Sequence, residues 1–226
     1  MAAHTWDGLL YIGDLMDFDC ISSFNKENLR SVEKKRLALE YQYANNVLDR
    51  HQQIIWNNNP YAKFVLLEGN HEERVERYIN ANPQLEGLVE VEIGLRLQER
   101  GFKWIRSWSK GETYQIGKAH FLHGNYTNQY HPAKMAQKYG DSVFYGHTHD
   151  MMCHAVANQL HPDKVHVGQS LGCLCERNQS YMKGAPSNWQ QGFGIFFFLE
   201  DGTYTYYTPR IFNNQFIGPD KVLYTP

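Results

Sequence analysis

Phe64-Val65-Leu66-Leu67-Glu68-Gly69-Asn70-His71-Glu72 is the stretch on which the fold turns. An apolar run of strand type stops at Gly69, a polar triplet follows at once, and a charged helical pattern continues through Arg77 and Ile79. Strand, glycine turn, helix is how an α/β sheet presents side chains at the carboxyl ends of its strands, where ligands bind. Asn70 and His71 on that turn offer an amide oxygen and an imidazole. Three other stretches repeat the layout. Leu9-Leu10-Tyr11-Ile12-Gly13-Asp14 ends on a carboxylate, Phe121-Leu122-His123-Gly124 on an imidazole, and Val143-Phe144-Tyr145-Gly146-His147-Thr148-His149-Asp150 on two. Four hydrophobic runs deliver Asp, Asn and His beside a glycine, a donor set suited to borderline-hard divalent ions.

Working outward, Trp6 to Asp14 reads as a strand, with Asp17 and Asp19 in the loop beyond it. Asn25 to Trp56 is rich in helix formers, with Leu37, Tyr41, Ala44 and Leu48 at helical spacing, and Asn57-Asn58-Asn59-Pro60 stops it. After the helix from Glu72 to Ile79, Asn82-Pro83 is a break. Leu85 to Arg100 reads as another helix, ended by Gly101. Phe102 to Ile105 is a short strand, and Glu112 to Leu122 a hairpin turning at Gly117-Lys118. His131 to Tyr139 is a helix closed by Gly140. Lys164 to Val167 is a strand, and Gln191 to Tyr207 alternates around Asp201-Gly202, a strong hairpin signal. With no repeat or linker, residues 1–226 read as one domain.

Composition narrows the function. The chain has 226 residues, enough for a large core, and is 42% hydrophobic, which excludes a disordered chain. A formal net charge of -2 argues against coating long nucleic acid by charge alone, and leaves a nucleotide or a strand end open as a partner. Cys20, Cys153, Cys173 and Cys175 fit neither a zinc ribbon nor a secreted disulfide framework, so reduced thiols in a cytoplasmic protein are expected. No leader and no membrane-spanning run is read in the sequence.

Gly13-Asp14, Gly69-Asn70-His71-Glu72, His123-Gly124 and Gly146-His147-Thr148-His149 match, in order, the later motifs of the calcineurin-like metallophosphoesterases, and the chain resembles that family from Leu9 to Ser170. Gly168-Gln169-Ser170 resembles the family's glycine-serine turn. The Asp-x-His motif with which the family opens is not found; His4, Trp6 and Asp7 stand in that region. The resemblance implies an α/β fold of two packed mixed β-sheets flanked by helices, a four-layer sandwich, here without the family's first strand.

The resemblance also implies roles. Asp14 would bridge two cations, Asn70, His123 and His147 would complete the ligands of one, and His149 would serve the other. Mn²⁺ is the first candidate metal, with Fe, Zn, Ni and Mg as the others. One site is expected well occupied and the second weak, unless a partner chain completes it. His71 would sit over the scissile phosphorus, as general acid or as a donor to the developing charge, oriented by Asp17. Singly, each residue has an ordinary alternative: Asp14 a helix cap, Asp17 a loop acid, any histidine a hydrogen-bonded core residue. The reaction implied is two-metal phosphoester hydrolysis. Phe18 and Glu68 stand where the family's protein phosphatases carry basic residues, which favours a phosphodiesterase acting on nucleotides or nucleic-acid ends. The alternative is a degenerate or truncated member serving as a binding scaffold with little activity. His131 would line a substrate cleft, and Tyr126, Tyr130, Tyr181 and Trp189 would either stack on a base or simply pack.

Overall fold

The computed structural model describes residues 4–27, 29–177 and 187–226. The protein is α/β, and the chain divides into two compact units, Met1–Glu112 and Thr113–Pro226. No helix among the described residues is long and apolar enough to cross a membrane.

The first unit holds β1 (Gly8–Tyr11), α1 (Leu37–Trp56), β2 (Lys63–Leu67), α2 (Glu73–Ala81), the single turn α3 (Val91–Gly94), β3 (Phe102–Ile105) and the single turn α4 (Ser107–Lys110). Its sheet is all parallel in the order β1-β2-β3, with Leu10 opposite Val65 and Leu66 opposite Trp104. The run Phe64-Val65-Leu66-Leu67 is buried throughout, as a central parallel strand covered on both faces must be. Helix α1 buries Tyr41, Ala44, Leu48, Gln52 and Ile55, one stripe at helical spacing. That stripe packs with Phe64 and Leu66 of β2, Val75 and Ile79 of α2, and Phe102 of β3.

Two helices differ from the sequence expectation. The helix expected from Asn25 begins only at Leu37, after short 3-10 turns at Ser23–Asn25 and Leu29–Val32. The helix expected over Leu85 to Arg100 is reduced to Val91–Gly94. Tertiary packing overrides helix propensity here. Arg96 takes a left-handed φ of 53°, which bends the chain so that Leu95 and Leu97 both enter the core. Arg100 then turns inward and stitches the segment to α1. Its guanidinium donates to Leu95 O at 2.9 Å, Gln52 Oε1 at 3.0 Å and Asn45 Oδ1 at 2.9 Å, and it pairs with Asp49 Oδ1 at 2.6 Å.

The second unit holds β4 (Tyr114–Ile116), β5 (Ala119–Leu122), α5 (His131–Tyr139), β6 (Val143–Tyr145), β7 (Cys153–Asn158) and β8 (His161–Ser170). It continues through β9 (Ile195–Phe198), β10 (Tyr204–Tyr207), β11 (Phe216–Ile217) and β12 (Leu223–Tyr224). Its main sheet is mixed, in the order β4-β5-β6-β8-β7, with β5, β6 and β8 mutually parallel. Strand alternation sorts its two faces. Leu122, Val143 and Tyr145 pack with Met135 of α5. Phe121 and Phe144 meet Phe196 of the β9–β10 hairpin, with ring centroids 4.9 and 4.7 Å apart. The hairpins at Gly117-Lys118 and Asp201-Gly202 and the helix closed by Gly140 form as the sequence indicates.

Helix α5 lies so close to β8 that Gly168 cannot be replaced without movement. A Cβ there would stand 2.0 Å from the Pro132 carbonyl oxygen. Backbone yields less readily than a side-chain tip, so Gly168→Ala is expected to cost about 2–3 kcal/mol. A fall in the urea midpoint measures it; an unchanged midpoint would show that α5 can lift away freely.

Candidate metal centre

Each unit gathers its own share of the residues singled out in the sequence. In the first unit, Asp14 and Asn70 follow the adjacent parallel strands β1 and β2, at their carboxyl ends. Asp14 has a left-handed φ of 54°, a conformation that costs energy outside glycine and persists only when its surroundings impose it. Glu72, 1% exposed, accepts hydrogen bonds at Oε2 from Asp14 N and Gly69 N, each at 2.8 Å, and at Oε1 from Leu15 N at 2.8 Å. Asp14 Oδ1 in turn accepts from His71 N at 2.9 Å. One buried carboxylate thus clamps the turn after β1 to the turn after β2. Gly69 is the pivot of that clamp: a Cβ on it would lie 2.2 Å from Asp14 Oδ1.

His71 sits between two carboxylates. Its Nε2 is 3.8 Å from Asp14 Oδ2, and its Nδ1 is 3.6 Å from Asp17 Oδ1, an ion-pair distance longer than a hydrogen bond. Burial pulls the imidazole pKa down, but Asp17 and Asp14 outweigh it, and the pKa ends above its ordinary value. The same imidazole holds the Asp17 carboxyl below its ordinary value, against the opposing effect of burial. The pairing of His71 with Asp17 expected from the sequence is therefore present as an electrostatic contact. Phe18 is fully buried, and Glu68, which follows β2, forms an ion pair with Arg106 Nε at 2.9 Å.

In the second unit, His123 and His147 follow the adjacent parallel strands β5 and β6. His123 is 1% exposed, and its Nε2 lies 3.2 Å from His147 Nδ1. With metal–nitrogen bonds of about 2.0–2.1 Å, that separation subtends roughly 100° at a shared ion, between octahedral and tetrahedral angles. The pair fits a metal as its chemistry suggests. His147 and His149 both adopt left-handed backbone, φ 61° and 59°, on either side of Thr148. That conformation departs from the extended backbone on which alternate residues share a face, and it makes the segment a tight turn. The His149 ring packs edge-on to Trp189, with centroids 4.0 Å apart.

A buried network holds this turn, and His131 is part of it. His131 is 2% exposed, so it does not line a cleft as the sequence suggested. The reason is a set of partners that the sequence could not place. Tyr145 Oη is 2.6 Å from His131 Nδ1, and His131 Nε2 is 3.1 Å from Asp150 Oδ2. Burial, foremost, raises the Tyr145 pKa, so the phenol stays protonated and can donate to Nδ1. Thr148 and Ser170 hydroxyls complete Asp150, donating to Oδ1 at 2.7 and 2.8 Å. Asp150 thereby ties the residue between the two candidate ligands to the end of β8. Histidine ligands are commonly oriented by such outer contacts. Of the aromatics considered for base stacking, Trp189 is engaged with His149, Tyr126 lies under Lys134 Nζ at 4.0 Å, Tyr130 is exposed, and Tyr181 lies outside the described residues.

No role for Glu72 or Asp150 follows from the sequence reading. Their signal was present but faint: each is an acid immediately beside a histidine motif, in a turn whose backbone N–H groups need an acceptor. Comparison of the chain with models of known protein families, with curated proteins and with solved structures finds no match in any of the three.

Proposed function

We propose that the chain is a metal-dependent phosphoric ester hydrolase, a phosphodiesterase acting on nucleotide or nucleic-acid phosphoesters, built as the two-sheet metallophosphoesterase sandwich. The observation that carries the reading is the His123–His147 pair, 3.2 Å apart at the carboxyl ends of neighbouring parallel strands. The left-handed backbone at Asp14, His147 and His149 supports it, because strain of this kind gathers at ligand clamps. On this reading Asp14 and Asn70 of the first unit, and His123, His147 and His149 of the second, would serve as ligands to divalent ions, Mn²⁺ first among candidates. Such ions supply Lewis acidity and a water nucleophile at neutral pH. His71 holds a proton for the leaving oxygen, and Asp17 keeps that imidazole protonated. Glu72 fixes the Asp14 turn, and Asp150 fixes the turn of the two histidines.

One observation favours a second reading, a binding scaffold of the same fold with little activity. Asp7 precedes β1, and its carbonyl accepts from Lys63 N at the amino end of β2, so it lies at the opposite end of β1 from Asp14. The His4 carbonyl accepts from Asn58, which follows α1 and precedes β2. Neither residue replaces the family's Asp-x-His pair.

A hydrolysis panel separates the two readings. The protein is incubated with Mn²⁺ and an aryl phosphodiester, an aryl monoester, cyclic nucleotides and short DNA. The phosphodiesterase reading expects turnover of a diester that chelation abolishes and that exceeds monoester turnover. Metal binding by calorimetry without turnover of any of them would leave the scaffold in its place.

A further inference from the structure

We propose that Cys173 and Cys175 form a redox-active dithiol, which closes reversibly to an intramolecular disulfide when it meets a low-molecular-weight disulfide such as oxidised glutathione. The site stands apart from the phosphoesterase reading and does not depend on it. Cys173-Leu174-Cys175 follows the Leu171-Gly172 turn at the end of β8. All four cysteines are free thiols, and this pair is half-buried, so small oxidants can reach it.

The backbone holds both cysteines in place. Cys173 N donates to Gln190 O at 3.0 Å, and Gly192 N donates to Cys173 O at 3.0 Å. The Gln191 side-chain amide donates to Cys175 O at 2.9 Å. The chain bends between them, and the two side chains are close enough to interact, while Cys173 Sγ also lies 3.7 Å from Gln190 O. Interacting thiols one residue apart in a bend can pair with little rearrangement, whereas cysteines whose side chains diverge need backbone movement. That contact is also the leading reason why the Cys173 thiol is held below its ordinary pKa, and Arg177 adds to it. Cys173 is therefore the attacking sulfur, since the thiolate is the nucleophile.

The chemistry balances in two exchanges. The Cys173 thiolate attacks one sulfur of oxidised glutathione, forms a mixed disulfide and releases one glutathione thiolate. The Cys175 thiolate then attacks the Cys173 sulfur, closes the 173–175 bond and releases the second glutathione. Two protein thiols are oxidised, one glutathione disulfide is reduced to two thiols, and the two thiol protons end on glutathione. A disulfide across a single residue is a tight ring, so it stays easily reduced, a property of labile rather than structural bridges.

The test uses the full chain. Protein is equilibrated across a series of reduced-to-oxidised glutathione ratios, quenched in acid, alkylated and digested with trypsin. Cleavage after Lys164 and Arg177 leaves both cysteines in the single peptide 165–177, with Cys20 and Cys153 on other peptides as internal references. The expected result is that 165–177 loses two hydrogens at ratios where Cys153 is free or singly glutathionylated, and regains them with dithiothreitol. Cys173→Ser should leave a single glutathione on Cys175, and should abolish one-to-one binding of phenylarsine oxide, a probe for paired thiols. Two results would overturn the proposal: a peptide that carries only free or separately glutathionylated cysteines at every ratio, or arsenical binding that survives Cys173→Ser.

Discussion

Glu72→Ala destabilises the first unit by about 4 kcal/mol and releases the turn that carries Asp14. The size follows from what the side chain does. Its carboxylate is 1% exposed and accepts three backbone N–H bonds, from Asp14, Leu15 and Gly69. Hydrogen bonds to a charged acceptor contribute about 1.5–3 kcal/mol each, and a buried donor left without a partner costs about 1–3 kcal/mol. Water can enter beside Asp14 and Leu15, which are half-buried, but less easily at the buried Gly69, so the sum is discounted to about 4 kcal/mol. Urea unfolding followed by tryptophan fluorescence reads the global effect. Hydrogen exchange reads the local one, and the amides of Asp14, Leu15 and Gly69 should lose protection first. Glu72→Gln keeps one acceptor oxygen but turns an N–H₂ toward N–H donors, and should fall between the two. A shift under about 1 kcal/mol for Glu72→Ala would mean that the clamp is incidental.

The clamp also shows where sequence reading reached its limit. The strands were legible because each is an apolar run cut off by a glycine, a pattern set by local chemistry. Helix α5 was legible for the same reason, opened by His131-Pro132 and closed by Gly140 in left-handed conformation. The segment from Leu85 to Arg100 was not. Its residues favour helix one by one, and only the packing of Leu95, Leu97 and Arg100 against α1 decides otherwise. Leu95 and Leu97 at a spacing of two were the available hint that a helix could not bury both. The candidate ligands stood out as a pattern of residue types at strand ends. Their supports did not, because a contact such as His131 to Asp150 joins elements 19 residues apart and has no sequence signature. Tyr145 illustrates the point: in sequence it is one more aromatic in a strand, and in the structure its hydroxyl lies 2.6 Å from Nδ1 of the buried His131.

His71→Ala and His123→Ala separate two kinds of loss that the proposed hydrolase must show. His71 meets Asp14 and Asp17 by ion-pair contacts in the turn before α2, where on the proposed reading it would protonate the leaving oxygen. Its removal should lower turnover by about 10²–10⁴-fold, the usual worth of a positioned acid, while bound metal stays. His123 is buried with its Nε2 against His147, and alanine there removes a proposed ligand and leaves His147 without its neighbour. Metal content after dialysis, measured by mass spectrometry, should fall with activity. Equal metal loss in both variants would show that the roles are not separate. The pH profile adds a sign. Asp17 and Asp14 raise the His71 pKa, so the protonated acid persists above the ordinary imidazole range and is lost as pH rises through the raised value. Asp17→Asn removes one of those carboxylates, so the alkaline limb of the rate profile should move to lower pH, with metal content unchanged. A limb that stays in place would assign that titration to another group and leave Asp17 as an ordinary loop acid.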